Sequence, residues 1–384
     1  MAVSELVLPQ KNFFGEGAVG RIAGELVRSG IRTALLVSDR GVGSSGLLDR
    51  IAAPFTEAGI ALSTDAGLSG EPTVSEVLRV SELVASSGAE ALIGVGGGSV
   101  MDLTKAAALT ATNGPDLRRR VGYNRHEVDP VPFFLVSTAA GTAAELSRAF
   151  LITDDSVGEK LVFKDDRALA AATACDAQLM TGLPASVTAA GGMDALAHSL
   201  EGYLGRKSWG LSRVFAVQAA RLVLDNLPAA LATPTDIGRR EALIHAQTLA
   251  GLSLGSAGVG MGHAIGHPLG SRTHLAHGRA VGMLLPYVLE YTFAALPEAA
   301  DRLARDLCGP AGTPRDVVTA VGDLAAAVGV ARPGDGAPLS DADIEWIVDH
   351  AVEEPNMPNS AVTPSRDDIR RVLVDAWEGR ELRC

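Results

Sequence analysis

Two clusters of side chains in this 384-residue chain have the types and spacing to bind one metal ion. In G-G-M-D-A-L-A-H-S-L-E-G-Y, residues 191–203, Asp194 and His198 stand four apart, so a helix would project both from one face about a turn apart. Downstream, G-H-A-I-G-H-P-L-G-S-R-T-H-L-A-H-G, residues 262–278, supplies His263, His267, His274 and His277. A carboxylate with several imidazoles suits Fe²⁺ or Zn²⁺, whereas Mg²⁺ and Ca²⁺ prefer shells made of oxygen alone. Taken singly, a D-x-x-x-H pair also describes a surface or capping pair, and a His-rich loop also describes a polar one. Both clusters in one chain, set among Gly and Ala that let backbones approach closely, point to a metal site.

Elements able to position a nucleotide lie upstream. In A-L-I-G-V-G-G-G-S-V-M-D-L-T-K-A-A-A, residues 91–108, an apolar run reads as a buried strand, Gly96, Gly97, Gly98 and Ser99 as a tight turn, and Val100 onward as an Ala-rich helix. Glycines let backbone N–H groups close on a pyrophosphate, and a helix N-terminus adds favourable partial charge. The loop is neither G-x-G-x-x-G nor a Walker A, and such glycine triplets also serve as plain strand-to-helix turns. The run T-A-L-L-V-S-D-R-G-V, residues 33–42, ends in Asp39, a carboxylate at the strand end where open α/β sheets bind ligands. There it would accept from an adenosine ribose and repel a 2′-phosphate, favouring NAD over NADP; Arg40 beside it blunts that preference, and a helix-capping role fits Asp39 equally. A third run, residues 132–154, delivers Ser137, Thr138, Gly141 and Thr142 to the same sheet edge, as cofactor contacts or as turn formers.

Together, G-G-G-S-V-M-D-L-T-K, S-T-A-A-G-T-A-A-E, G-G-M-D-A-L-A-H-S-L-E-G-Y and G-H-A-I-G-H-P-L-G with A-H-G resemble the iron-containing (group III) alcohol dehydrogenases over about residues 10–380. The resemblance implies an α/β N-terminal dinucleotide-binding domain with a parallel sheet, then an all-α C-terminal domain, the architecture shared with dehydroquinate synthase. It places the metal ligands at Asp194, His198, His263 and His277, and a catalytic histidine at His267. It places the pyrophosphate loop at Gly97, Gly98 and Ser99, the ribose carboxylate at Asp39, and further cofactor contacts at Thr138, Thr142 and Lys160; Gly96 and Asp102, in the glycine-loop run, are further cofactor-binding candidates. The implied cofactors are NAD(H), with NADP(H) disfavoured, and a divalent metal, Fe²⁺ ahead of Zn²⁺. His267, four residues after His263, is the candidate proton shuttle, with a pocket-lining role as the alternative.

The sequence departs from the family pattern in places. It reads L-P-Y at Leu285–Tyr287 where L-P-H is common, and Ala276 replaces the usual Pro before the last His-Gly. Near the expected substrate pocket it carries Ser271-Arg272-Thr273-His274 where aromatic residues are frequent. Arg272, with Arg148, is a candidate selector of an anionic aldehyde such as phosphonoacetaldehyde or a semialdehyde acid, against an Arg that simply faces solvent. The leading expectation is a small primary alcohol or diol and its aldehyde. A dehydroquinate-synthase-like lyase would need several Lys and Arg for a phosphate-bearing substrate and would lack the D-x-x-x-H pair. A metal-free maleylacetate-reductase-like enzyme and a non-catalytic assembly protein conflict with the intact ligand set.

Strand-like runs at residues 33–38, 91–95, 133–137, 149–153 and 168–175 alternate with helical stretches, the βαβ signature of a parallel sheet. After Leu183-Pro184 the pattern turns helical, as in Ser212–Asn226, Arg240–Leu254 and Gly278–Ala295, which divides the chain into domains 1–183 and 184–384. Ser365 reads as the N-cap of a last helix. The net charge of −12 argues against nucleic acid or an anionic membrane as partner. Three cysteines, Cys175, Cys308 and Cys384, fit a reducing cytosol, and no leader or long apolar run is evident. The expected partner is a small alcohol or aldehyde, in a cytoplasmic homodimer or larger homo-oligomer.

Overall fold

The apolar runs around residues 35, 93 and 135 become neighbouring strands of one parallel sheet in the computed structural model, which describes residues 3–332 and 338–383. In chain order the α/β portion contains β1 (Asn12–Phe14), α1 (Ala18–Arg28), β2 (Thr33–Asp39), α2 (Arg40–Ser44), α3 (Leu47–Glu57), β3 (Ala61–Leu68) and α4 (Val74–Ser87). It continues with β4 (Ala91–Gly96), α5 (Gly98–Asn113), β5 (Gly122–Tyr123), β6 (Phe133–Ser137), β7 (Ala149–Asp154), β8 (Glu159–Lys164) and β9 (Ala172–Cys175). Six strands are ordered β1-β9-β6-β4-β2-β3, all parallel. β4 and β6 are buried along their whole length, as continuous apolar runs covered on both faces must be. Alternation along β2 feeds two cores: Leu35 and Val37 pack with Val77, Val80 and Leu103, while Ala34 and Leu36 pack with Ile22, Leu26 and Phe55.

Two of the expected strands need correction. Residues 149–154 pair antiparallel with β8 in a separate three-stranded sheet ordered β5-β8-β7, so they do not extend the parallel sheet. Of residues 168–175 only 172–175 form a strand, because a 3₁₀ turn capped by Asp165 occupies 166–168. The edge strands β1 and β3 lacked an apolar signature, since Ala61–Leu68 is exposed or half-buried until its last residue.

From Ala185 the described residues contain helices and no strand: α6 (Ala185–Leu204), α7 (Gly210–Ala232), α8 (Ile237–Ala257), α9 (Met261–Thr273), α10 (His277–Ala295), α11 (Pro297–Cys308), α12 (Pro314–Ala327), α13 (Asp341–Glu353) and α14 (Arg366–Glu378). The helical unit runs from Thr181 onward and takes in residues 140–142; the α/β unit comprises residues 7–139 and 143–180. α6 packs on α7, α8 and α10. By length and composition α7 would cross a membrane, but its Ala216, Ala219, Ala220, Val223, Leu227 and Ala230 lie in the helical core. Ser365 caps α14 as expected, accepting from Asp368 N–H in a capping box. Cys175 is buried and Cys308 exposed, both as free thiols; Cys384 lies outside the described residues.

Candidate metal centre and nucleotide pocket

α6 is apolar on most of its circumference, so the polar residues it buries stand out. Asp194 and His198 are 1% and 5% exposed, one turn apart. α9 contributes His263, 2% exposed, and α10 begins with His277. Gly278 lets that beginning lie against α6: a Cβ there would stand 2.2 Å from the Ala190 carbonyl oxygen and 3.1 Å from Asp194 Cβ. Three imidazole nitrogens converge on one carboxylate oxygen, with His277, His263 and His198 Nε2 at 3.3, 3.4 and 3.7 Å from Asp194 Oδ1. Donor atoms bonded to one tetrahedral ion at about 2.1 Å would be separated by about 3.4 Å.

Both Asp194 oxygens and His263 Nε2 are buried without a hydrogen-bond partner. Orphaned polar atoms of this kind are rare in a folded interior, and a bound cation would satisfy all three. The donor chemistry and the unpartnered atoms therefore fit a divalent transition metal. Electrostatics agree. Burial pushes His198 down to about 4, keeping its ring in the neutral, ligating form. Burial also opposes charge on His263, but Glu201 and Asp194 outweigh it and raise the imidazole to about 10. A cation would displace that proton. Burial likewise opposes ionisation of Asp194, yet His198, His277 and His263 hold it well below the usual carboxylate range.

Two carboxylates that the sequence did not single out complete the cluster. Glu201 accepts from Gly262 N–H at 2.6 Å and pairs with His263 Nδ1 at 2.5 Å. Its signal was present, because Asp194, His198 and Glu201 occupy positions i, i+4 and i+7 of α6. Glu354, just past α13, pairs with His267 Nδ1 at 2.7 Å, leaving Nε2 as the nitrogen it does not hold. His267 stacks on His277 with ring centroids 5.1 Å apart, and burial lowers its pKa, so the ring is neutral near pH 7. His274 ends α9 with φ 57°, a left-handed cap outside this cluster.

In the α/β unit, β4 turns directly into α5. Gly96 has no room for a side chain, since a Cβ would stand 2.5 Å from Val100 Cγ2. Gly97 is the N-cap and offers no side-chain acceptor, so the first amides of α5 are uncapped and available to an anion. A cavity of about 280 Å³ is lined by Gly97, Gly98 and Ser99 together with Asp39, Arg40, Ser69 and Gly70. Asp39 caps α2 by accepting from Val42 N–H at 2.9 Å, and Arg40 Nε donates to the Gly67 carbonyl at 3.3 Å. Thr138 is buried, its amide donating to the Gly96 carbonyl at 3.0 Å. Thr142 is exposed and, with Gly141, belongs to the helical unit, where the Gly141 amide donates to Gln247.

Neither threonine lines this cavity, and the remaining expected contacts do not line it either. Asp102 accepts from Leu151 N–H at 3.0 Å and lies 3.9 Å from the fully buried Lys105; burial pushes its carboxyl up to about 6. Lys160 pairs with Glu71 at 2.9 Å. Arg148 pairs with Asp166 and lies over the Tyr123 ring. Arg272 donates to Asp343 at 2.6 Å and lies over Trp346. A carboxylate already answers each of these three cations.

Residues 9–177 match the family described as iron-containing alcohol dehydrogenase, and residues 188–377 match the C-terminal part of that family. The chain is 33% identical over 290 residues to lactaldehyde reductase of Escherichia coli K12, covering 75% of each protein. It is 30% identical over 381 residues to 1,3-propanediol dehydrogenase of Citrobacter freundii, covering 97% of this chain and 98% of that protein. The crystal structure of a 1,3-propanediol oxidoreductase superposes with TM-score 0.93 at 28% identity, over 98% of this chain and all of the other. With both halves matched, the chain belongs to the iron-containing alcohol dehydrogenase family.

Proposed function

We propose that this family member is a metal-dependent, NAD(H)-linked alcohol dehydrogenase and aldehyde reductase acting on a small primary alcohol or diol. The observation that carries the reading is the convergence of three imidazoles on the unpartnered Asp194 carboxylate, 3.3–3.7 Å from Oδ1. Asp194, His198, His263 and His277 hold the ion, with Fe²⁺ favoured and Zn²⁺ accepted by the same donors. When bound, the ion supplies a Lewis acid for the substrate oxygen, and the nicotinamide supplies or accepts the hydride.

The chain's own residues do the rest. The uncapped amides at Gly98 and Ser99 bind the pyrophosphate, and Asp39 binds the ribose hydroxyls and disfavours a 2′-phosphate. His267, fixed by Glu354, takes the hydroxyl proton on Nε2 as the neutral ring in oxidation and, as the imidazolium, returns it in reduction. Because Arg148 and Arg272 each pair with a carboxylate, a neutral aldehyde is favoured over an anionic one. The functional domains are placed at 1–183 and 184–384, supported by the separate matches to residues 9–177 and 188–377. A cytoplasmic homodimer or larger homo-oligomer is the accompanying reading, supported by the family resemblance and by the free thiols of Cys175 and Cys308.

The test is NADH oxidation by metal-stripped protein, resupplied with Fe²⁺ or Zn²⁺, on neutral and anionic short aldehydes. Turnover on neutral aldehydes restored by metal is expected, with Arg272→Ala changing both substrate classes equally. Folded protein that turns over nothing with either metal would defeat the assignment. Selective loss on anionic aldehydes in Arg272→Ala would move the substrate to that class.

A further inference from the structure

Glu201 stands three residues after His198 on α6 and is 6% exposed. Each of its oxygens takes one N–H from the first turn of α9: Gly262 N–H at 2.6 Å and His263 Nδ1 at 2.5 Å. The N-cap of α9, Gly260, offers no side-chain acceptor, so a residue of another helix does the capping. The backbone is shaped around this carboxylate, since a Cβ on Gly262 would stand 3.0 Å from Oε1. With Nδ1 held from behind, the His263 ring presents Nε2 to Asp194, 3.4 Å away. A divalent ion bound by one carboxylate and three neutral imidazoles would leave one positive charge in a buried site, and buried charge is costly unless balanced.

Resting on the metal reading above, we propose that Glu201 is a positioning residue of the metal centre, orienting His263 and placing a second buried carboxylate behind the donor set. The pair of donors it serves sets a strict requirement. A glutamine offers one acceptor oxygen and would turn its NH₂ toward the other N–H, so the isosteric amide cannot do the job.

The experiment is a chelator-competition titration of the full-length, metal-free protein with Zn²⁺, for wild type, Glu201→Gln, Gly262→Ala and Asp194→Ala. Glu201→Gln is expected to bind Zn²⁺ about 10–100-fold more weakly while keeping the wild-type circular dichroism spectrum. Gly262→Ala, which displaces the carboxylate without altering a donor, is expected to shift affinity in the same direction and stands in if Glu201→Gln does not fold. A folded Glu201→Gln, or failing that a folded Gly262→Ala, binding Zn²⁺ within about twofold of wild type overturns the proposal. Asp194→Ala separates the two levels. Loss of Zn²⁺ there with retention in Glu201→Gln removes only the role of Glu201, whereas retention in Asp194→Ala removes the metal reading itself.

Discussion

Asp39 uses one carboxylate in two ways. Oδ1 caps α2 through Val42 N–H, while the side chain also borders the cavity that Gly97–Ser99 line. Asn caps as well as Asp but carries no charge, so Asp39→Asn separates the two roles. It is expected to keep wild-type thermal stability and to lower the ratio of kcat/KM for NADH over NADPH by about tenfold, the equivalent of ~1.4 kcal/mol. Arg40, on the same cavity wall, then becomes the dominant charge near the ribose. An unchanged ratio would show that Asp39 serves only as a cap. At this scale the sequence was legible where side chains recur at helical spacing, as Asp194, His198, His263 and His267 do. It was illegible where a partner comes from far along the chain: Glu354 lies 87 residues from His267, and no local spacing points to it. Arg272 shows the same limit, because its partner Asp343 is 71 residues away.

Glycines decide how closely the helices approach. α6 and α10 meet where a Cβ on Gly278 would stand 2.2 Å from Ala190 O and one on Gly282 would stand 2.7 Å from Met193 Cβ. That approach brings His277 to Asp194. Gly282→Ala is expected to cost about 1–3 kcal/mol as overpacking, and Gly278→Ala more, because backbone blocks it. Thermal unfolding checks both, and Zn²⁺ affinity should fall with Gly278→Ala even in protein that folds. Gly255 is the control: on the exposed face of α8 with nothing within 4 Å, its change to Ala should stabilise by about 0.5–1 kcal/mol. A destabilised Gly255→Ala would mean that helix propensity is not what governs this site. The long helices and the buried strands β2, β4 and β6 were readable because apolar runs and turn residues carry them. β7 misled because its buried residues alternate, Phe150, Ile152 and Asp154, which tells of a strand without telling which sheet. β3 and β1 gave no signal because edge strands need little apolar surface.

For the molecule as a whole, buried acids in the α/β unit make stability depend on pH. Burial pushes Glu145 from its ordinary value of 4.5 up to about 7, and Asp102 from 3.8 to about 6. Between those limits these two acids keep protons in the folded chain that the unfolded chain has released, so their contribution to stability falls as pH rises from about 4 to 7; His198, held at about 4, contributes in the opposite sense below pH 6.5. Glu145→Gln removes about half of the acids' contribution, the rest staying with Asp102. It should gain on the order of 1–3 kcal/mol relative to wild type at pH 8 and little at pH 4.5, read as a difference in melting temperature at the two pH values. A gain equal at both pH values would assign the effect to packing. Asp194 and His277 come from separate helices, α6 and α10, yet face each other at 3.3 Å, so the proposed ion would close that stretch of chain like a removable cross-link. Ligand that binds only the native state slows its loss to unfolding and proteolysis. A cell starved of iron would then hold fewer copies of this protein, and not merely idle ones, which pulse-chase turnover with and without an iron chelator would measure.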